Sequence, residues 1–319
     1  MKILHPRTFI LIGLVAVIAV VFQSLTPNYL SLRNLGGMLS AMAISGIVAM
    51  GLTFVIVLRK FDLSLAGIAS LSAMTLGFAL FLYGNLWIAV VACIGVGVIC
   101  GAINGALVGY GRLPDVVTTI AVGSIAYGMA FVYNGGADFS KNFFSSGIVA
   151  MNYTKVLGMK VPILLLLMTA IFTGFLLHMT RYGQAFYAAG ENPVATRFSG
   201  ISVNRMMIAG YALCGALVGL AMLIQISGIG SSRVTAGGQI LLPAYTSVYL
   251  GAALLGRASI PATIAGSLVM TMLLNGFTLM SVPYYYSDAV VSLVLITAIV
   301  LFDPRILIYL KSPRRLVTG

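Results

Sequence analysis

Ionisable residues are few in this 319-residue chain, and their types limit the chemistry they could perform. Carboxylates could relay protons, bind Na⁺ or act as general acids. The six carboxylates are Asp62, Asp115, Asp138, Glu191, Asp288 and Asp303. None lies near the middle of a long apolar segment, where a charge costs several kcal/mol and persists only for a function. This placement argues against proton-coupled or sodium-coupled transport, although backbone carbonyls can also bind sodium.

Thiols and imidazoles form no catalytic or metal-binding pattern. Cys93, Cys100 and Cys214 fall in apolar segments, without metal-ligand spacing or a loop position suited to a disulfide. We interpret them as small buried hydrophobic residues. His5 and His178 have no partner motif, and no phosphate-binding G-x-x-x-x-G-K-[ST] loop occurs. We therefore predict no catalytic residue, no metal site and no bound cofactor, so energy for uphill transport would come from another chain.

Long apolar segments must position these residues. The chain is 60% hydrophobic and 8% charged, with a mean hydropathy of +1.08, whereas a soluble domain carries about 25% charged residues. Its apolar segments have about the 20 residues that a helix needs to cross the hydrocarbon, and they lack the alternation of a membrane β-barrel. The sequence predicts an all-α, polytopic membrane protein. Its ten predicted transmembrane helices are 9–25, 34–58, 66–84, 86–109, 116–133, 161–180, 206–227, 238–256, 258–277 and 289–302.

Basic residues predict the orientation of the bundle, because cytoplasmic loops carry an excess of Lys and Arg. With both termini in the cytoplasm, most of the 18 Lys and Arg residues fall in cytoplasmic loops. The external loops then hold Arg33, Lys141, Lys155, Lys160 and Arg233. The net charge of +12 is spread over short loops rather than a basic domain, which argues against nucleic-acid binding.

Two loops are long, and the whole chain, 1–319, is predicted to be one transmembrane domain. The loop at about 134–160, predicted to be external, could contact an extracytoplasmic partner. The loop at about 181–205, predicted to be cytoplasmic, contains Asn192 and Pro193, a favoured helix start. Ser199 and Gly200 form a natural stop. The sequence predicts a short helix between them.

That short helix would carry Arg197 and Phe198. Arg and aromatic residues often anchor protein interfaces, so we interpret the helix as a docking element. An ordinary loop helix is the alternative.

Polar residues near the predicted helices are candidates for gating or for a solute pathway. The candidates are Asp62, Ser64, Asn104, Gln225 and Asn275. Asp62 and Ser64 could cap a helix start or act directly in gating or coupling. The amides could bind a sugar, but we favour bonding between helices. For the tyrosines at 284–286, interfacial anchoring is favoured over sugar stacking.

A stripe of glycines recurs every four residues in the fourth predicted helix. It consists of Gly97, Gly101, Gly105 and Gly109. Small residues at this spacing allow a neighbouring helix to approach closely. We predict that the stripe packs against another helix, with Asn104 beside it.

Several stretches resemble the ribose-type sugar ABC transporter permeases of bacterial inner membranes. The stretch Asp62-Leu-Ser64 falls where that family has Gly-Ile-Asp-Leu-Ser-Val-Gly. The other matching stretches are 26–34, 101–105, 275–279 and the cytoplasmic signature formed by 180–183, 187–192 and 199–201. The resemblance covers nearly the whole chain.

Departures from the family pattern indicate a divergent member rather than the ribose permease itself. Arg59-Lys60-Phe61 replaces Gly-Gly-Ile before the aspartate. Gly238–Pro243 and Gly251–Leu254 stand where ribose-like members have Gly-Tyr-Glu-Leu and Gly-Gly-Thr-Ser. The resemblance then implies another sugar or a sugar-derived signal as the substrate.

The resemblance also implies partners. An ATP-binding subunit, which would hold ATP and Mg²⁺, would dock on the cytoplasmic loop. A periplasmic binding protein would deliver the solute, and a second permease subunit, identical or paralogous, would complete the pathway in the lipid bilayer. The implied docking residues are Gly190, Glu191, Asn192, Pro193, Ala195, Arg197, Phe198, Ser199 and Gly200.

Two other readings stay open from the sequence. One is a secondary, ion-coupled transporter, which would show internal symmetry or a central charge. The other is a non-transport membrane protein, such as a scaffold or an intramembrane enzyme. An enzyme would need clustered reactive groups at membrane depth.

Overall fold

A computed structural model describes residues 6–302 of the chain. Five basic residues of the orientation argument and one carboxylate therefore lie outside the described part. They are Lys2, Asp303, Arg305, Lys311, Arg314 and Arg315. The predicted cytoplasmic position of the two termini accordingly stays a prediction.

Helices make up most of the fold. They are α1 (Pro6–Leu25), α2 (Leu32–Val57), α3 (Leu65–Tyr83), α4 (Leu86–Gly109), α5 (Asp115–Val132), α6 (Ile148–Tyr153), α7 (Val161–Met179), α8 (Arg181–Glu191), α9 (Pro193–Phe198), α10 (Val203–Ile229), α11 (Leu241–Leu255), α12 (Ile260–Leu279) and α13 (Tyr284–Phe302). A 3-10 turn, Val234–Gly237, precedes α11. The strands β1 (Lys155–Val156) and β2 (Met159–Lys160) pair antiparallel.

All ten predicted transmembrane helices are present, with ends that shift by a few residues. They correspond to α1–α5, α7 and α10–α13. Within residues 6–302, nine segments are long and apolar enough to cross a membrane, and α13 contributes a shorter apolar helix. The long second helix is continuous over 26 residues. Pro243 lies in the first turn of α11, where its missing N–H breaks no helical hydrogen bond.

Burial separates the helices into an inner group and an outer group. In α2 and α3, 78% of the apolar window is buried inside the chain, against 11% in α1 and 22% in α4. All four helices are apolar on every face, because the outer helices contact lipid and the inner helices contact other apolar helices. One face of a helix can be apolar because it contacts protein and the other because it contacts lipid. The amino-acid composition of a helix therefore does not reveal whether it is central.

The glycine stripe of α4 lies against α10. A Cβ at Gly97 would collide with the backbone carbonyl of Gly215, and one at Gly101 would collide with that of Tyr211. A Cβ at Gly105 would meet the Cα of Ile208. The two backbones therefore touch at three successive positions of the stripe, an approach that a larger residue would prevent.

A loop predicted to be external contains structure of its own. It holds α6 and the β1–β2 hairpin. A backbone bridge joins Phe139 to Ser232, and Arg233 Nε lies 3.0 Å from Asp138 Oδ2. The loop is thereby fixed to the segment that follows α10.

Candidate functional site

The segment 58–64, which joins α2 to α3, is a meeting point of several helices and is called the connector below. The chain reverses in a tight turn after α2, with the Lys60 N–H donating to the Val55 carbonyl at 3.1 Å. Arg59 has φ +55°, a left-handed conformation that is uncommon for a residue with a Cβ. Such a conformation persists where the surrounding structure enforces it.

Side chains of α5 and α10 hold the connector backbone. The Phe61 N–H donates to Asp115 Oδ2 at 2.8 Å, and the Leu63 N–H donates to Thr119 Oγ1 at 3.0 Å. The Tyr211 hydroxyl donates to the Phe61 carbonyl at 2.8 Å. These three backbone groups thus find partners on two other helices, α5 and α10.

A tyrosine of α11 completes the set of backbone contacts. The Tyr245 hydroxyl accepts the Asp62 N–H at 2.9 Å and donates to the Asp62 carbonyl at 3.2 Å. A change in the position of the connector would therefore alter its hydrogen bonds to α5, α10 and α11 together.

The side chain of Asp62 organises the start of α3. Its Oδ1 accepts the Ser64 N–H at 3.0 Å and also the Ser64 hydroxyl. Ser64 in turn accepts a bond from Asn104 Nδ2 at 2.8 Å. Ser64 itself makes no capping bond to α3. Asp62, Ser64 and Asn104, three of the predicted pathway candidates, are thereby brought into one buried cluster that links the connector to α4.

Two oxygens of this cluster have no hydrogen-bond partner within the described part of the chain. They are Asp62 Oδ2 and Asn104 Oδ1, and both residues are fully buried. Burial raises the pKa of Asp62 from its ordinary 3.8 to about 6, against the lowering effect of the bonds from Ser64. The carboxyl therefore gives up its proton less readily than an exposed aspartate.

The long predicted cytoplasmic loop contains two helices rather than one. α9 begins at Pro193 and ends at Phe198, as predicted, and Asn192 Oδ1 caps it by accepting the Ala195 N–H at 3.0 Å. The sequence prediction missed α8. A signal was available, because Ala185, Phe186 and Ala189 form the buried stripe of an amphipathic helix.

α8 packs directly on the end of α2. A Cβ at Gly190 would collide with the Val57 carbonyl, so only glycine allows this approach. The rings of Phe54 and Phe186 meet edge to face at 5.3 Å. Beyond α8, the α9 side chains of Val194 and Phe198 are 62% and 90% exposed. In the loop 181–205, α8 is thus packed against the end of α2, whereas α9 exposes apolar side chains to solvent.

The remaining candidates lie away from the connector. Asn275 and Asn34 exchange amide bonds of 2.8 and 3.1 Å, which join α12 to the start of α2. Gln225 donates to the Ala236 carbonyl at 3.0 Å. The structure therefore uses Asn275 to bond two helices. Tyr285 and Tyr286 are both exposed.

A cavity of about 1230 Å³ opens beside the connector. Its lining comes from α2, the connector, α8, α11, the segment between α11 and α12, and α13. Its lining includes Arg59, Lys60, Phe61, Tyr187 and Arg257. We call it the connector cavity.

Comparisons with known proteins identify the family. Residues 34–299 match the family described as the permease component of the branched-chain amino acid transport system. The chain belongs to this family. Ribose import permease protein RbsC of Escherichia coli K12 is 32% identical, and the alignment covers 91% of each chain. RbsC of Bacillus subtilis 168 is also 32% identical, over 89% of each chain.

Autoinducer 2 import permeases are similar as well. LsrD of Escherichia coli O9:H4 is 31% identical, over 94% of this chain and 93% of that protein. A solved inward-facing structure of an ABC transporter assigned to the metal-chelate type has a TM-score of 0.53 and covers 95% of this chain and 99% of that one. At 16% identity it supports the fold alone.

This permease is accordingly a multi-pass protein of the bacterial inner membrane. It is the membrane-spanning component of an ABC import system, not its catalytic subunit. The connector and the loop 181–205 are thus parts of a transport protein.

Proposed function

We propose that this permease forms the membrane pathway of an ATP-driven importer for a sugar or a sugar-derived signal. The observation that carries the proposal is the uncovered α9, held on α8 against the end of α2. Phe198 is 90% exposed there, although burying an aromatic side chain stabilises an interface. An ATP-binding subunit that covers α9 would bury Phe198, and this burial would stabilise the complex.

The connector offers a route for movement from the docking loop into the bundle. α8 touches the last turn of α2 through Gly190 and Phe186. The connector follows that turn directly and is bonded to α5, α10 and α11 through Asp115, Tyr211 and Tyr245. If the partner subunit moved α8, these bonds would carry the displacement to three helices. Switching of this kind between two packings is a general mode of transport.

The relatives support a sugar or sugar-like solute, since their names specify ribose and autoinducer 2. We further propose that a periplasmic binding protein delivers the solute near the loop 134–160 and that a second permease subunit completes the pathway. ATP and Mg²⁺ would bind on the ATP-binding subunit, with no cofactor on this chain. The whole chain, 1–319, would act as one transmembrane domain.

Docking is tested by changing Phe198 to Ala in a tagged full-length permease. We expect the co-purified ATP-binding subunit to fall about tenfold or more, because loss of an interface anchor often costs 2 kcal/mol or more. The matched control is Leu32→Ala, which removes an equally exposed side chain, at 89%, from the opposite end of α2. Equal recovery of the partner by both variants would contradict the docking assignment.

Transport is tested by uptake of labelled ribose, other pentoses and autoinducer 2 into cells that express the complete system. We expect uptake of one of these solutes to stop when ATP is depleted and to persist when the ion gradients are collapsed at constant ATP. Uptake that follows the ion gradients instead would support a secondary transporter and refute the proposal.

A further inference from the structure

Three cationic side chains line the connector cavity. Arg59 and Lys60 belong to the connector, and Arg257 lies between α11 and α12. Glu191 is the only carboxylate among the described lining residues. The guanidinium of Arg257 lies over the Tyr187 ring, at 5.5 Å from its centroid. The cavity therefore combines a net positive charge with an aromatic surface.

These cations have no carboxylate partner in the part of the chain that the structure describes. Between residues 6 and 302, the one ion pair within 4.0 Å joins Arg233 to Asp138, at the other end of the bundle. Arg59 and Arg257 are exposed to solvent. Within residues 6–302, no carboxylate neutralises these charges, and they are available to a ligand.

Part of the wall of the cavity is apolar. It includes Ile56 and Val57 in the last turn of α2, and Ile299 of α13. Ile299 is 37% exposed on an apolar helix, so the wall continues onto a lipid-facing surface. A ligand that matches the cavity must pair an anionic group with a hydrocarbon chain.

We infer that the connector cavity binds an anionic phospholipid, with the phosphate near Arg59, Lys60 and Arg257 and an acyl chain along α2 and α13. Basic pockets between transmembrane helices bind acidic lipid head groups, and each basic residue near the surface contributes roughly 1 kcal/mol to the attraction. A free sugar lacks the charge, and a free phosphate would leave the apolar wall uncovered.

Lipid at this position would act on the connector. Arg59 and Lys60 precede Asp62 by three and two residues in the connector. A phosphate held by them would stabilise the left-handed turn at Arg59 and, through it, the contacts of the connector. The cavity would then hold a ligand other than the transported solute.

The test uses the full-length permease in micelles of a neutral detergent, titrated with phosphatidylglycerol and observed by native mass spectrometry. The variants are Arg59→Asn, which keeps a residue that tolerates positive φ, Lys60→Gln and Arg257→Gln. We expect each to weaken phosphatidylglycerol binding about fivefold, as expected for about 1 kcal/mol per charge. The triple variant should lose about a hundredfold.

Arg112→Asn is the matched control. Arg112 also has positive φ, at +53°, and it lies in the α4–α5 loop outside the cavity. It should bind phosphatidylglycerol as the unchanged protein does. Equal binding by Arg59→Asn, Arg257→Gln and Arg112→Asn would overturn the inference, as would binding of phosphatidylcholine with the same affinity.

A competition experiment separates the two sources of phosphate. Inorganic phosphate and glycerol phosphate at millimolar concentration should leave the lipid-bound peak unchanged. Full displacement by either would show a site for a soluble phosphate and would overturn the lipid assignment. If the triple variant does not fold, the single variants still test the inference. Monodispersity in neutral detergent shows that each single variant is folded.

Discussion

The contact between α4 and α10 allows a prediction with an internal control on one helix. In Gly101→Ala, the new Cβ would lie 2.8 Å from the Tyr211 carbonyl carbon and 3.0 Å from the Ala212 Cα. Carbon atoms prefer separations of about 3.5–4.0 Å, so the two helix backbones must move apart by roughly half to one ångström. Overpacking of this kind destabilises by about 1–3 kcal/mol.

Gly95→Ala, on the same helix, separates packing from helix propensity. A Cβ at Gly95 meets nothing within 4 Å, and Ala is the better helix former by up to about 1 kcal/mol. We expect Gly95→Ala to be neutral or slightly stabilising and Gly101→Ala to lose about 1–3 kcal/mol. Gly109→Ala should fall between them, because its Cβ would lie 3.3 Å from the Asn204 Cα.

The free energy of unfolding would be measured by reversible denaturation with sodium dodecyl sulfate in mixed micelles, followed by circular dichroism. The order Gly95→Ala, Gly109→Ala, Gly101→Ala, from most to least stable, is the expected result. If Gly101→Ala were as stable as Gly95→Ala, the α4–α10 contact would be wrong and the argument from backbone approach would fail.

Three further predictions concern polar groups that join parts of the bundle. The pKa of Asp62 rises from 3.8 in the unfolded chain to about 6 in the folded state. The protonated carboxyl therefore stabilises the folded state fully below about pH 4, and this stabilisation is lost as the pH rises through 6. Asp62→Asn should abolish up to about 3 kcal/mol of that pH dependence, and identical melting profiles from pH 5 to pH 7 in both proteins would contradict this. Tyr245→Phe should destabilise by about 1–3 kcal/mol, because the Asp62 N–H loses its partner, and an unchanged unfolding free energy would exclude the bond. A double-mutant cycle with Asn34→Ala and Asn275→Ala should give a coupling energy of about 0.5–1.5 kcal/mol, and a value near zero would show that the amide pair does not form.

Local features of the sequence predicted local structure well. The ten apolar segments correspond to ten helices, since each span must satisfy its own backbone in lipid. Asn192 and Pro193 predicted the start of α9, because capping depends only on neighbouring residues. The spacing of four in the glycine stripe predicted a helix contact, since four residues return to the same helix face. The sequence did not identify α10 as its partner.

Tertiary structure alone decided which residues meet. Asp62, Asn104 and Tyr245 are far apart in the chain and become one cluster only because α3, α4 and α11 pack around the connector. For Asn275, bonding between helices was the favoured interpretation, but only the structure shows that its partner is Asn34. The sequence by itself determined the ten apolar helices and the start of α9, because these depend on length, apolarity and nearest neighbours. Contacts across the bundle depend on the relative rotation of helices that are apolar on every face, and only the packed structure specifies that rotation.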